Sequence, residues 1–267
     1  KPIVFDYLDH LEESASVYYP DSMTGSLIQK VVRVLTRFNL RHSKAVITVT
    51  NELKEYLSAM RIGNITVIPN GVDTTLLRPE NKEEAKKRLG LGGKYVLGYV
   101  GSLEYWVDLE TAIEALPELK DVMLLIIGPG LFTDYGTHIA RRAEELGVEE
   151  QIIFTGAVPY QKISDYISAM DIGLNPLKPM KKNEYAAGGK VFNYLACGRP
   201  VLSSRMISLE RLLGNDLFYY DDIRSFILQI KRILDQDQKE EYYRAIAMRF
   251  DWNLLAERYE SVLKEAL

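Results

Sequence analysis

The chain has 267 residues, long enough for two domains of ordinary size, and its 47% hydrophobic content supplies ample core. Its 33 basic and 37 acidic side chains leave a net charge of −4, which excludes the global basic field of a nucleic-acid binder. A lone cysteine, Cys197, excludes an internal disulfide framework, and His10, His42 and His138 share no metal-ligand spacing, so neither a disulfide scaffold nor a metal site is expected.

The first element is a buried strand in "PIVFDYL", which the chain enters directly after Lys1. That is the pattern of a chain entered in its middle. "SLIQKVVRVLTRFNLRHS" carries apolar residues at helical spacing, and "AVITVT" is a second strand, with Asn51 placed to cap a helix over "ELKEYLSAM". "ITVI" is a third strand, stopped by Pro69-Asn70-Gly71. Strands separated by helices argue for a parallel sheet, but three strands make half of one. Residues 1–78 are therefore expected to be an incomplete Rossmann-like unit, completed by a missing N-terminal segment or a complementary chain.

Residues 79–94 are charged and read as a linker with a short helix in "NKEEAKKRLG". A fuller unit follows over 95–248. Its strands are "YVLGYV", "VMLLIIG", "QIIFTG", "DIGLN", "PVLSS" and "LFYY", with helices starting near Asp108, Tyr135, Gln161, Lys190, Asp222 and Glu240. This alternation predicts an α/β fold with a doubly wound parallel sheet. Residues 249–267 end the chain in an amphipathic helix. No apolar run reaches the roughly 20 residues that span a bilayer.

In such sheets ligands lie beyond the carboxyl ends of the strands, where helix N-termini expose bare N–H groups. Gly101-Ser102, Gly128-Pro129-Gly130, Gly156 and Gly188-Gly189 all stand at such places. Each is equally a turn that needs glycine. Neither GxxxxGK[ST] nor GxGxxG occurs, which disfavours P-loop hydrolysis and a dinucleotide fold. Lys190 opens a helix, where a cation opposes the helix dipole unless an anion shares the site. It is either the cation that meets a phosphate or a solvent-facing lysine. Asn193 and Glu184 suit sugar or ribose hydroxyls, although Asn193 reads equally as a polar helix residue. Asp6, Asp9 and His10 form a second polar cluster, in which Asp9 is either an acid–base group or a helix cap. Cys197 reads as core packing. Residues 26–50 hold five basic side chains and no acid, with Arg33, Arg37 and Arg41 on one helical face. That face either meets an anionic surface, giving a peripheral membrane contact, or completes an unseen domain.

"VIPNGVDTTLLRP", "YVGSLEYWVDLETAIEAL", "LLIIGPG", "IIFTGAVPYQKISDYISAMDIGLNPL" and "GGKVFNYLACGRPVLSS" resemble, in order and spacing, the retaining nucleotide-sugar glycosyltransferases of the GT-B fold, the group-one family. The resemblance covers most of residues 1–265. It implies two Rossmann-like domains across a cleft, the second holding a nucleoside diphosphate sugar and the first the acceptor, with the final helix returning to the first domain. The expected reaction moves a hexosyl group to a hydroxyl of a glycan or lipid-linked acceptor with retained configuration, in the cytoplasm or at the inner face of the membrane. No cofactor beyond the donor substrate is implied, and its base is left open. The resemblance makes Asp9, His10, Glu184 and Lys190 the catalytic candidates. It makes Gly101, Ser102, Gly128, Gly156, Gly189, Lys190, Val191 and Asn193 the donor-binding set. Ser102 stands where many relatives carry arginine, Trp106 and Val107 fall near the place of a usual lysine, and Asn193 replaces a ribose-binding glutamate. Those departures leave room for a binding subunit without turnover, or for an epimerase on the same plan.

Overall fold

The computed structural model describes residues 1–19, 22–237 and 239–267. The first unit runs β1 (Val4–Tyr7), α1 (Leu11–Ser16), α2 (Met23–His42), β2 (Ala45–Thr48), α3 (Asn51–Ala59) and β3 (Ile65–Val67). α4 (Lys82–Arg88) bridges to the second unit. That unit runs β4 (Tyr95–Val100), α5 (Leu109–Ala115), β5 (Val122–Ile127), α6 (Tyr135–Leu146), β6 (Ile152–Gly156), α7 (Ile163–Ser168), β7 (Ile172–Asn175), α8 (Gly189–Ala196), β8 (Val201–Ser204), α9 (Ile207–Leu213), β9 (Phe218–Tyr220), α10 (Ile223–Leu234) and α11 (Glu240–Met248). α12 (Trp252–Ala266) closes the chain.

Both sheets are parallel throughout. The first has the order β1-β2-β3 and the second β6-β5-β4-β7-β8-β9. Counted within its own unit, the second order is the doubly wound one, with the direction of winding reversing between β4 and β7. Both faces of that sheet are covered, and the two-residue period of a strand divides its side chains accordingly. Val96 and Val100 of β4 and Leu125 and Ile127 of β5 pack with Ile167, Met170, Val191 and Leu195. Leu97, Tyr99, Leu124 and Ile126 pack on the other face with Ile113, Ile139, Phe226 and Ile230.

The first sheet is narrower. Val46 and Tyr7 meet Leu40, Leu53 and Leu57 on one face. On the other, Ala45, Ile47 and Ile68 are covered by Leu255 and Val262 of α12. The final helix therefore crosses back from the second unit, guided by Asp251. Its carboxylate accepts the Asn253 N–H at 2.8 Å and the Thr74 N–H at 3.2 Å, with a short contact to the Thr74 hydroxyl. The backbone pairs there too, Val72 N–H to the Phe250 carbonyl and Trp252 N–H to the Val72 carbonyl, both at 3.0 Å.

Local readings need correction at three places. Thr50, not Asn51, caps α3, because Thr50 is the extended residue and its Oγ1 accepts the Leu53 N–H at 3.2 Å. α9 is a short helix where no element was expected, fixed by a contact made at a distance, Ser208 Oγ donating to the Ala186 carbonyl at 2.6 Å. α2 is turned inside out. It buries Gly25, Thr36 and Leu40 while Met23, Leu27, Val31, Val34, Leu35 and Phe38 face outward. Among the described residues no helix is long and apolar enough to cross a membrane.

Candidate functional site

The reversal of winding between β4 and β7 leaves a crevice at the carboxyl ends of those strands, the place where open α/β sheets bind ligands. Three glycines shape it. Gly101 ends β4 at φ +152° and Gly128 ends β5 at φ +132°. A Cβ on Gly128 would lie 2.1 Å from the Gly101 carbonyl oxygen, so the two turns are in contact. The Gly101 N–H donates to the Ile127 carbonyl and the Gly128 N–H to the Gly156 carbonyl, both at 2.9 Å. These amides extend the ladder, which corrects the reading of Gly101 and Gly128 as sources of bare N–H groups, while Gly156 supplies its carbonyl. Their role is to bring the turns close without side chains.

Lys190 lies in the first turn of α8, next to this floor. A Cβ on Gly101 would meet its Cε at 3.2 Å, and its ammonium sits 5.0 Å above the Tyr99 ring. No side chain caps α8. Gly188 is held against Asn175, whose Oδ1 lies 2.9 Å from a Cβ built there, whereas Gly189 faces open space. An uncapped helix end and a lysine thus stand together beside the Gly101 turn. Burial, aided by the Lys182 charge, pushes the Lys190 ammonium down to about 8. Asn193 lies one turn further along α8 and is partly exposed.

Val191 is different. It is fully buried in the core of the second unit, and its N–H turns back to the Gly188 carbonyl at 3.1 Å. Helical periodicity points Val191, Phe192 and Leu195 inward, so the side chain expected to touch a ligand is instead packing. Ser102 contributes its carbonyl to the Tyr99 hydroxyl at 2.8 Å. The helix after Gly101, α5, is closed to an anion. Asp108 accepts the Thr111 N–H at 3.3 Å and the Tyr135 hydroxyl accepts the Leu109 N–H at 2.9 Å.

The loop from 176 to 188 folds as successive turns around Asn183, which is buried and donates to the carbonyls of Trp106 and Lys178, both at 2.9 Å. Its neighbours part company there. Lys182 reaches across to the first unit, its Nζ 3.2 Å from Asp9 Oδ2 and 4.5 Å from the Trp106 ring. Glu184 lines a separate cavity of about 480 Å³ with Met180, Arg205 and Met206, to which Lys190, Gly101 and Asp9 contribute nothing. The grouping of Glu184 with Lys190 is corrected accordingly.

Asp9 stands at the end of β1, its carboxylate accepting the His10 N–H and the Ser14 hydroxyl, each at 2.9 Å. It thus braces the start of α1 while facing Lys182. Asp6 lies elsewhere, close to Tyr259 of α12, whose phenol is raised by burial and further by the Asp6 charge. His10 turns inward, its ring 4.7 Å from Tyr56 and 5.3 Å from Tyr185, with Nε2 3.9 Å from Glu12 Oε2. Tyr7 donates to that same carboxylate oxygen at 2.7 Å. Burial pushes the Cys197 thiol up to about 11. Among the described residues no group of three or more His, Cys, Asp or Glu side chains is placed to hold a metal ion.

Three parts of the cleft had no signal in the sequence. Lys182 is one lysine in a Lys181-Lys182 pair, and only the turn at Asn183 selects it. Tyr18 packs its ring against Trp106 at 5.8 Å and Phe132 at 5.5 Å, bridging the two units. Glu104, fully buried, accepts from the Leu131 and Phe132 N–H groups and the Thr133 hydroxyl, so a carboxylate fastens the loop after β5. A buried glutamate directly before Tyr105 and Trp106 carries no periodic mark.

Two parallel-sheet units facing one another, the larger doubly wound and linked back by a final helix, constitute the GT-B double-Rossmann architecture. Residues 94–236 match the family described as glycosyl transferases group 1, and the chain belongs to that family. Residues 4–76 match a second description, Glycosyltransferase Family 4. Among curated relatives, the 2-deoxystreptamine glucosyltransferase of Streptomyces kanamyceticus is 27% identical over 237 residues, covering 82% of this chain and 59% of the relative. The D-inositol 3-phosphate glycosyltransferase of Acidothermus cellulolyticus is 28% identical over 222 residues, covering 76% of this chain and 48% of the relative. The chain thus spans about half the length of the curated relatives it matches. Among solved structures, HepE of Anabaena, in complex with UDP and glucose, superposes with a TM-score of 0.79 at 20% identity, over 99% of this chain and 72% of that one. At that identity the likeness concerns the fold.

Proposed function

We propose that the chain forms the donor-binding unit and part of the acceptor side of a glycosyltransferase. In this reading it moves a hexosyl group from a nucleoside diphosphate sugar to a hydroxyl of a glycan or lipid-linked acceptor, with retained configuration. The observation that carries it is the convergence of the Lys190 ammonium, the uncapped start of α8 and the close-packed Gly101 turn at the crevice between β4 and β7. Departure of a diphosphate leaves negative charge on oxygen, and fixed positive ends of dipoles and cations stabilise that charge as it develops. Asn193, one turn along the same helix, is placed for the ribose diol, and Asp9 faces the crevice from the other unit as acceptor for the hydroxyl proton. The aromatic contact of Tyr18 with Trp106 and Phe132 keeps water from the reacting centre when the units are together. Lys30, Arg37 and Arg41 of α2 are exposed beside Leu27, Val31, Val34, Leu35 and Phe38, a surface that suits a lipid-linked acceptor at the inner face of the membrane.

A second reading, nucleotide binding without turnover, is favoured by Ser102, which offers a carbonyl where the family resemblance implies a guanidinium. Product analysis with the full chain, nucleoside diphosphate sugars and lipid or sugar acceptors separates the two. A glycoside product supports transfer. Free epimerised sugar, or binding without product, refutes it. For the phosphate site itself, Lys190→Ala should weaken nucleoside diphosphate binding far more than nucleoside binding in calorimetric titration. Equal losses would reject it.

A further inference from the structure

Lys182 plays no part in the site expected from the sequence, yet it occupies a pointed position. It comes from the loop before α8, its side chain is 15% exposed, and among the described residues it forms its ion pair with Asp9, a residue of the opposite unit. The Trp106 face beneath it, near the place where the family resemblance implies a lysine, holds an ammonium while leaving N–H groups free for a further acceptor.

We infer that Lys182 is a second cation of the donor site, kept by Asp9 while the cleft is empty and transferred to the diphosphate when the donor enters. This rests on the reading of Lys190 given above. Lys182, paired with Asp9, acts through its charge on Lys190 in the uncapped first turn of α8, and an anion with several charges would relieve the repulsion between the two ammonium groups. The Lys182 charge already disfavours the protonated form of Lys190. Asp9 is held independently by the His10 N–H and the Ser14 hydroxyl, so it stays in place when Lys182 leaves. The exchange also frees the Asp9 carboxylate to face an acceptor hydroxyl, which couples donor arrival to readiness of the acceptor side.

The experiment is calorimetric titration of the full chain with uridine, guanosine and adenosine diphosphates, each compared with its nucleoside. Lys182→Met should weaken diphosphate binding by ~10- to 100-fold and leave nucleoside binding unchanged. Lys182→Arg should retain it. Asp9→Asn should tighten diphosphate binding severalfold, because the competing carboxylate charge is gone, and adding Lys182→Met should abolish that gain. If Asp9→Asn weakens binding as Lys182→Met does, the pair is a strut between the units and the inference falls. It falls alone if Lys190→Met weakens binding while Lys182→Met does not. If the unaltered chain binds none of the three diphosphates, the Lys190 reading falls with it.

Discussion

Replacing Lys190 with methionine should stabilise the empty protein while weakening its hold on a diphosphate. The ammonium is held at about 8 against an ordinary lysine value of 10.5, because burial disfavours the charged form and Lys182 adds to the effect. The folded chain therefore holds that proton less tightly than the unfolded chain. The lysine costs stability below about pH 8, and the cost disappears as pH rises from about 8 to 10.5. At ~1.4 kcal/mol per tenfold change the full cost is ~3 kcal/mol, and relaxation of a partly exposed residue brings the expected gain of Lys190→Met to ~1–3 kcal/mol. Methionine keeps the stem that packs beside Gly101 and Tyr99, so no cavity opposes the gain. Thermal unfolding at pH 7 should show the variant melting ~2–10 °C higher, with the difference shrinking toward pH 10.5. In the presence of nucleoside diphosphate the order should reverse, since the unaltered protein alone is stabilised by binding. Its affinity should itself decline as pH rises above about 8, and that of the variant should not. A variant that melts lower than the parent at pH 7 and binds diphosphate equally well would refute the electrostatic reasoning.

Gly173→Ala should destabilise the second unit by ~2–4 kcal/mol in urea unfolding, because the new Cβ lies 2.4 Å from the Tyr194 ring. That ring is fixed by its hydroxyl, which accepts the Val100 N–H at 2.8 Å and donates to the Leu174 carbonyl at 3.1 Å; an unchanged midpoint would show the ring free to move. Asp251→Ala should cost ~1–2 kcal/mol at pH 7 through loss of the α12 cap and its links to Thr74. Hydrogen bonds from Thr74, acting against burial, hold the Asp251 carboxyl below its ordinary range. Its contribution is thus complete above that range and lost as pH falls through the lowered value, so parent and variant should converge in acid. Cys197, buried with its thiol pushed up to about 11, should ignore a disulfide reagent at pH 8 and react once the chain is unfolded in denaturant. Rapid reaction of the folded protein would contradict its burial.

The strands of both sheets were legible because burial on two faces leaves continuous apolar runs such as "VMLLII", and the glycines after them mark where each run must turn. The place of Lys190 at a helix start was legible locally, because Gly188-Gly189 ends the loop just before the run Val191-Phe192. Val191 was misread because its neighbours in sequence line a crevice while the helical period sends it inward. The Gly101 and Gly128 amides were misread because their partners, Ile127 and Gly156, lie on adjacent strands.

The sequence by itself determined the alternation of strands and helices, hence the parallel sheets and the carboxyl-end location of the crevice, because periodicity and turn chemistry act over a few residues. Only the tertiary structure decided which charged groups share the crevice. Asp9 and Lys182 are 173 positions apart and Lys182 and Glu184 only two, yet the first pair meet, while Glu184 lines a cavity to which Lys182 does not contribute. Electrostatic partnership depends on distance through space, and that distance is set by the Asn183 turn and the packing of one unit against the other.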